Sequence, residues 1–516
     1  MTDISGTIAP SEPSIWNSRT LYAAGVLAAL VIVGDVLIWY HPSGVNILVF
    51  FIAVIAAIAV LHPWKLGEGR TVAVILVALL GVSPFFETES PWALLTAQGG
   101  ITLLALGIAD KLPRFEQWGS AFTRFGLLAP FRLIGDGFRL LLEGGQQKIG
   151  GHVLRGAIMW IVPLVFAIVF VGLFAAANPV IEYGLRAIRI DKLLEFLEPG
   201  RIILWGLVAV GCWPLLMPKL LNWYALPPMQ GPMLPKAESL LFGRSAILNL
   251  LILFNAIFAV QTVLDLVFLW GGVRLPEGIT YAVYAHRGAH PLIVTALLAA
   301  AFVLAAMRKE APVQNSPLIR NLVYLWIAQN VWLVISSVLR LKLYVEVYYL
   351  SEMRIAAFIW MGLVAIGLVL IVVKIALNRT NAWLVMTNMA TLSVTLWGVA
   401  WADLQSFIAT YNVRHSYEVT GEGVPIDHFY MSDLGPAAIP AIDEFLVNSR
   451  FADQSTLTTF SLLRNELTAR VVAIDWENRS AHRFPETWHG WTWREDRLEE
   501  YLIEHPFAPK TADAID

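Results

Sequence analysis

The sequence predicts an all-α polytopic membrane protein: about eleven transmembrane helices followed by a small, mainly helical soluble C-terminal domain. Three observations predict it. The residues AVILMFWYC make up 57% of the 516, and only 15% are charged, against roughly 25% charged in an ordinary soluble protein. Mean hydropathy is +0.64. Apolar runs of about 20 residues, the length that crosses a hydrocarbon core, recur between residues 21 and 402. A soluble fold cannot hide that much apolar surface from water, whereas a bilayer can.

Residues 1–20 read as a cytoplasmic N-terminus with Arg19 as the one basic residue. The run that follows is longer than a signal-peptide core, and no small-x-small site ends it, so it reads as a retained first span. Candidate spans are 21–40, 44–62, 71–86, 92–109, 156–178, 202–218, 246–271, 291–307, 321–339, 355–374 and 383–402. The third and sixth are short and the seventh is long, which tilt or partial insertion accommodates. The single cysteine, Cys212, lies in an apolar run, so no intramolecular disulfide is available.

Two connections read as interfacial helices. Near 112–155, Phe115, Trp118, Phe122, Phe125, Phe131 and Phe138 interleave with Arg114, Arg124, Arg132 and Arg139. Rings and arginines in one amphipathic stretch suit an anionic inner leaflet; a patch for a cytoplasmic partner is the rival reading. Near 180–200, Ile181, Leu185, Ile188 and Leu193 mix with Glu182, Arg186, Arg189 and Lys192, which suits the opposite surface. With the N-terminus inside, the inner connections hold eighteen Lys and Arg and the outer ones nine. That bias favours this orientation, and eleven crossings then put the C-terminus outside, in a cell's inner (cytoplasmic) membrane.

From residue 406 the character changes. Residues 406–516 carry eighteen acidic and nine basic side chains, a net −9, while the rest of the chain carries +6. Helical apolar spacing is present over 438–447, 454–472 and 495–503. About 110 residues suffice for a small folded domain.

The stretch Arg340-Leu-Lys-Leu-Tyr344-Val-Glu-Val-Tyr348-Tyr-Leu-Ser-Glu352-Met-Arg354, followed by the span from Ile355, resembles a recurring block of a bacterial multi-pass membrane family. So do Asn412-Val413-Arg414 and Asp433-Leu-Gly-Pro436-Ala-Ala-Ile-Pro440. The family is that of domain of unknown function 4173, related to the 4153 group, and the likeness covers approximately residues 150–510. Its first block usually ends Tyr-Gly-Leu-Thr, where this chain has Tyr348-Tyr-Leu-Ser. The resemblance implies the architecture and no particular activity.

Ionisable and amide groups inside spans are the candidate ligand positions. Asp35 lies near the outer end of the first span, where a headgroup-level carboxylate is the plainer reading. Gln261 and Asp265, four apart on the seventh, share a face and form a polar seam. Gln329 and Asn330 sit mid-way along the ninth, with Ser336 and Ser337 further out; amides at that depth join helices more often than they bind substrate. The outer block supplies Arg340, Tyr344, Glu352 and Arg354, either as a site for an anionic headgroup or partner or as an ion-pair network at headgroup depth. If the block is helical, Arg340, Tyr344, Tyr348 and Glu352 form one i,i+4 stripe.

In the C-terminal region Asp427, His428, His482, Glu486 and His489 match no zinc spacing and read as solvated surface. The run Trp488-His-Gly-Trp491-Thr-Trp493 suits core or membrane contact. No phosphate loop, Gly-x-Ser-x-Gly or Cys-x-x-Cys is present. No cofactor or metal is implied, and the scattered basic residues lack the footprint of nucleic-acid binding. The expected partners are the lipid bilayer and an envelope or membrane protein. The leading reading is a non-enzymatic scaffold or signal-relay component of the bacterial envelope. The alternatives are a transporter with a site between helices one, seven and nine, or a membrane enzyme acting on lipid-linked substrates through Asp35, Glu87 or Glu89.

Overall fold

The computed structural model describes residues 18–62, 67–110, 118–143, 198–219, 244–270, 317–475, 480–483 and 488–507. Nine apolar helices correspond to nine of the expected spans: α1 (Ser18–Ile38), α2 (Val45–Val60), α3 (Gly69–Val82), α4 (Pro91–Ile108), and, past α5 (Trp118–Glu143), α6 (Pro199–Leu216), α7 (Arg244–Asp265), α8 (Pro317–Tyr348), α9 (Glu352–Ala376) and α10 (Asn381–Trp401). Eight of them are long and apolar enough to cross a membrane, α3 together with the 3-10 turn Ser83–Phe86 that continues it; α2, of 16 residues, is shorter. The spans expected at 156–178 and 291–307, and residues 180–197 of the interfacial helix expected near 180–200, lie outside the described residues. Apolar side chains such as Ile32, Leu207, Ile257 and Val394 face outward from these helices, which is the surface that lipid covers.

Local chemistry sets the helix ends. Ser90 accepts a hydrogen bond from Ala93 N with Pro91 at the first turn, and Thr380 accepts one from Trp383 N, each satisfying an orphan donor. At the other ends Asp110 and Asn378 take left-handed backbone, φ 52 and 50, as short polar residues do after a helix. Tyr349, after α8, does the same at φ 65, although its bulk disfavours it.

The chain forms two compact units: residues 1–113, 120–221 and 487–491, and residues 114–119, 222–486 and 492–516. In the first, α3 and α4 approach through Ala78, Gly81, Thr96 and Gly100. A Cβ on Gly81 would lie 2.6 Å from Thr96 O, and Thr96 Oγ1 donates to Gly81 O at 2.9 Å. Small residues permit this closeness, which supplies dispersion contact where lipid removes the hydrophobic drive. Buried Asn46 ties α1 to α2, donating to Leu37 O and Pro42 O and accepting from Gly44 N and Ile47 N.

In the second unit, α7 to α10 pack around Leu251, Val323, Trp326, Ile371 and Leu384. A second core joins the ends of α8 and α9 to shorter helices that follow: α11 (Leu404–Arg414), α12 (Tyr417–Thr420), α13 (His428–Asp433), α14 (Ile439–Asn448), α15 (Gln454–Ala469) and α16 (Trp493–Glu504). Val345, Leu350 and Ile355 there contact the same cluster as Ile408, Val413, Ile442 and Phe445. The helix expected to reach residue 472 stops at Ala469. Residues Val472–Asp475 and Ser480–Arg483 pair instead as antiparallel strands. Fully buried Arg464 fixes this region, bidentate to Asp443 at 2.9 and 3.1 Å, with Thr468 Oγ1 and Pro506 O as further acceptors. Such satisfaction is what a buried guanidinium requires.

Candidate functional site

The polar block after α8 builds a cavity. The helix continues through Arg340 and Tyr344 and ends at Tyr348; Glu352 opens α9. Arg340, Tyr344 and Tyr348 therefore share a helical stripe, and Glu352 lies beyond it. The three-residue turn between, Tyr349 to Ser351, is held from every side. Arg354 Nη1 donates to Tyr348 O at 2.6 Å and also to Tyr349 O, so an arginine of the following helix satisfies carbonyls at the end of the preceding one. Its guanidinium lies over the Tyr344 ring, 4.8 Å from the centroid. Tyr349 OH donates to Val424 O. Leu350 N donates to Asn412 Oδ1 at 2.8 Å, and Asn412 Nδ2 returns a bond to Leu350 O at 3.0 Å. Glu352 N donates to Tyr430 OH at 3.2 Å.

These contacts leave a cavity of about 230 Å³ lined by Tyr348, Ser351, Arg354, Asp427 and Tyr430, with Ile426 and Met431 on its apolar side. Asp427 Oδ1 caps α13 through Phe429 N and Tyr430 N. Burial pushes the Tyr349 phenol up to about 12, with the Glu418 carboxylate adding to the effect. Burial also raises the Tyr430 phenol, as do the charges of Glu352 and Asp433, against Arg354. A left-handed tyrosine held this firmly beside a cavity marks a candidate site.

A second polar feature lies between α7 and α8. Asn255 Nδ2 donates to Leu322 O at 3.1 Å, Gln329 Nε2 to Asn255 O at 3.2 Å, and Arg340 pairs with Asp265. These contacts advance together along both helices, so the two run parallel. Gln261 Nε2 donates to Asp265 Oδ1 at 2.9 Å. The shared face expected of Gln261 and Asp265 is thus a direct contact, and Arg340 joins it. The Asp265 and Arg340 side chains are 0% and 4% exposed. A π-helical turn, Leu266–Trp270, follows Asp265 at once, and such turns recur at functional sites. Asn330 is buried and donates to Trp326 O, one turn back.

Asp35 belongs to a different cluster. Arg201 of α6 grips its carboxylate with both fork nitrogens, and Trp205 Nε1 donates to it at 2.9 Å. Tyr40 OH donates to Glu198 nearby. Glu87 is buried and Glu89 exposed. Asp136, inside the stretch expected to be interfacial, accepts from Arg132, Trp213 Nε1 and Lys219. His489 stacks on His41 at 3.6 Å, and Trp491 O accepts from Val45 N. Glu486 lies outside the described residues. Among the described residues no group of three or more His, Cys, Asp and Glu is arranged to hold a metal ion.

Sequence reasoning singled out Tyr344, Glu352 and Arg354 but did not assign roles to Tyr349, Asn412 or Tyr430. The one signal for Asn412 was its place in the Asn-Val-Arg block. A family model described as Domain of unknown function (DUF4153) matches residues 23–445. No curated protein and no solved structure matches the chain.

Proposed function

The chain belongs to the family of domain of unknown function 4153, and on that premise we propose that this integral membrane protein is a non-enzymatic scaffold or signal-relay component of the bacterial envelope. One observation carries the reading. Helices α11 to α16 share a continuous apolar core with the ends of α8 and α9. A contact made on the acidic helices is therefore coupled to two membrane helices by packed side chains, which respond as a unit rather than by gradual deformation. Asp35 and Asp265 each hold an arginine of their own chain, an arrangement that suits joints between helices.

The topology that accompanies this reading has eleven spans, the N-terminus in the cytoplasm and residues 406–516 as an extracytoplasmic domain. Its support is the two-to-one excess of Lys and Arg on the inner connections. The narrower 4173 grouping rests on the blocks at 340–354, 412–414 and 433–440. Chemical crosslinking of the chain in its own membrane tests the function. A defined envelope or membrane protein should be captured, and removal of residues 406–516 should abolish the capture. An unchanged partner set would contradict the proposal.

A transporter reading draws on a separate observation. Among the described residues, the buried amide oxygens of Asn255, Gln329 and Asn330 accept no hydrogen bond, at a depth where each such group costs several kcal/mol. Water or cargo within the seam would satisfy them. Proteoliposomes that show no uptake, or uptake that Asn330→Leu leaves unaltered, would count against it.

A further inference from the structure

The cavity at the α8–α9 turn carries a ligand assignment. It is smaller than the roughly 300–1,000 Å³ that holds a drug-sized molecule, so its occupant is a small group. Its charged lining is one guanidinium and one carboxylate, Arg354 and Asp427. Arg354 spends Nη1 on the carbonyls of Tyr348 and Tyr349, and among the described residues Nε and Nη2 hydrogen-bond to no protein atom. That leaves one edge of the fork for an anionic oxygen pair. Asp427 uses Oδ1 for its cap, and Oδ2 remains to accept from a ligand.

The surrounding charge narrows the class further. Glu352 and Asp433 lie close enough to influence the Tyr430 phenol, so a lone anion would enter a field with more carboxylates than guanidinium groups. A ligand with both charges is complementary. Tyr348 and Tyr430 line the same space, and a tyrosine ring attracts an ammonium to its electron-rich face.

We infer that the cavity binds a small zwitterion, its anionic group on Arg354 and its primary ammonium between Asp427 and the rings of Tyr348 and Tyr430. This is the chemistry of a phosphoethanolamine headgroup and of a free amino acid. The inference stands apart from the relay reading, because a zwitterion can bind without a protein partner and a partner without a zwitterion.

The test uses the purified full-length chain in detergent, read by ligand-dependent thermal shift. O-phosphoethanolamine and glycine are compared with inorganic phosphate and ethylamine, and nanodiscs containing phosphatidylethanolamine with nanodiscs of phosphatidylglycerol. At least one zwitterion, free or as the lipid headgroup, should bind tenfold or more tighter than phosphate or ethylamine. Preference for the lipid over every soluble zwitterion identifies a headgroup site; tight binding of a soluble zwitterion identifies a free ligand. Asp427→Asn retains the helix cap, since asparagine caps as well as aspartate, and should lose tenfold or more in zwitterion affinity without altering phosphate binding. Equal affinity in the wild type and Asp427→Asn, or no preference for any zwitterion over phosphate, would overturn the assignment.

Discussion

The side-chain amide of Asn412 exchanges two hydrogen bonds with the backbone of Leu350, 62 residues earlier in the chain, at 2.8 and 3.0 Å. The amide presents a donor and an acceptor as a neighbouring strand would, and it pairs a turn that neither α8 nor α9 can serve. Asn412 is 3% exposed and Leu350 is 5% exposed, so water does not compete. This pair binds α11 to the junction of two membrane helices.

Replacing Asn412 should therefore be costly. Asn412→Leu leaves both Leu350 groups buried without partners, at about 1–3 kcal/mol each. Asn412→Asp keeps the acceptor for Leu350 N and loses the donor, so its defect should be distinct from that of the leucine variant. Thermal unfolding of the detergent-solubilised chain measures both; a leucine variant as stable as wild type would contradict the role given to this amide.

Tyr349 links the turn to pH. Its folded-state phenol is raised to about 12 from an unperturbed value near 10. The folded form holds the proton more tightly, so this contribution is fully present below about pH 10. It is lost as pH rises towards about 12. Tyr349→Phe should remove that part of the alkaline loss, while costing about 1 kcal/mol at neutral pH for the bond to Val424 O. Alkaline unfolding profiles of the two chains provide the comparison.

The Arg340–Asp265 pair should be asymmetric to substitution. Asp265→Asn leaves the buried guanidinium without its carboxylate, for which about 3–5 kcal/mol is expected. The double variant Asp265→Leu with Arg340→Met removes both charges and should recover most of that loss. Aggregation temperature in detergent reads the difference, and a single variant no worse than the double one would refute the buried-pair interpretation.

At the α3–α4 contact, Gly81→Ala places a Cβ against the Thr96 carbonyl at 2.6 Å. Backbone cannot swing aside as a side chain can, so the helices must part, at about 1–3 kcal/mol. Gly99, whose added Cβ meets nothing within 4 Å, provides the control: Gly99→Ala should be neutral or stabilising in the same thermal assay.

Much of the helical layout was legible because hydropathy integrates over some twenty residues and tolerates local error. The ends were not. The ninth span was expected over 321–339 with a helical continuation left open; α8 runs from Pro317 to Tyr348, and Arg340 within it pairs with Asp265 of another helix. Partners 75 or 166 residues away, as in Arg340–Asp265 and Arg201–Asp35, leave no periodic trace. The contact between Gln261 and Asp265 could be read because both lie on one helix. The strand pair 472–475 and 480–483 escaped because four-residue strands carry too little alternation to register. Nothing in the sequence marked Tyr349 as the left-handed residue of the turn, a position where glycine would have no steric penalty. Here a tyrosine hydroxyl bond to Val424 O offsets that strain.

The coupling of the acidic helices to the membrane helices is tested most directly by amide hydrogen exchange on the full-length chain, wild type against Asn412→Asp. Loosening one pin of a shared core should lower protection together at residues 345–355 and 439–448, which both contribute side chains to that core. Faster exchange at 345–355 alone, with 439–448 as protected as in the wild type, would show that the two regions open independently and would contradict the relay.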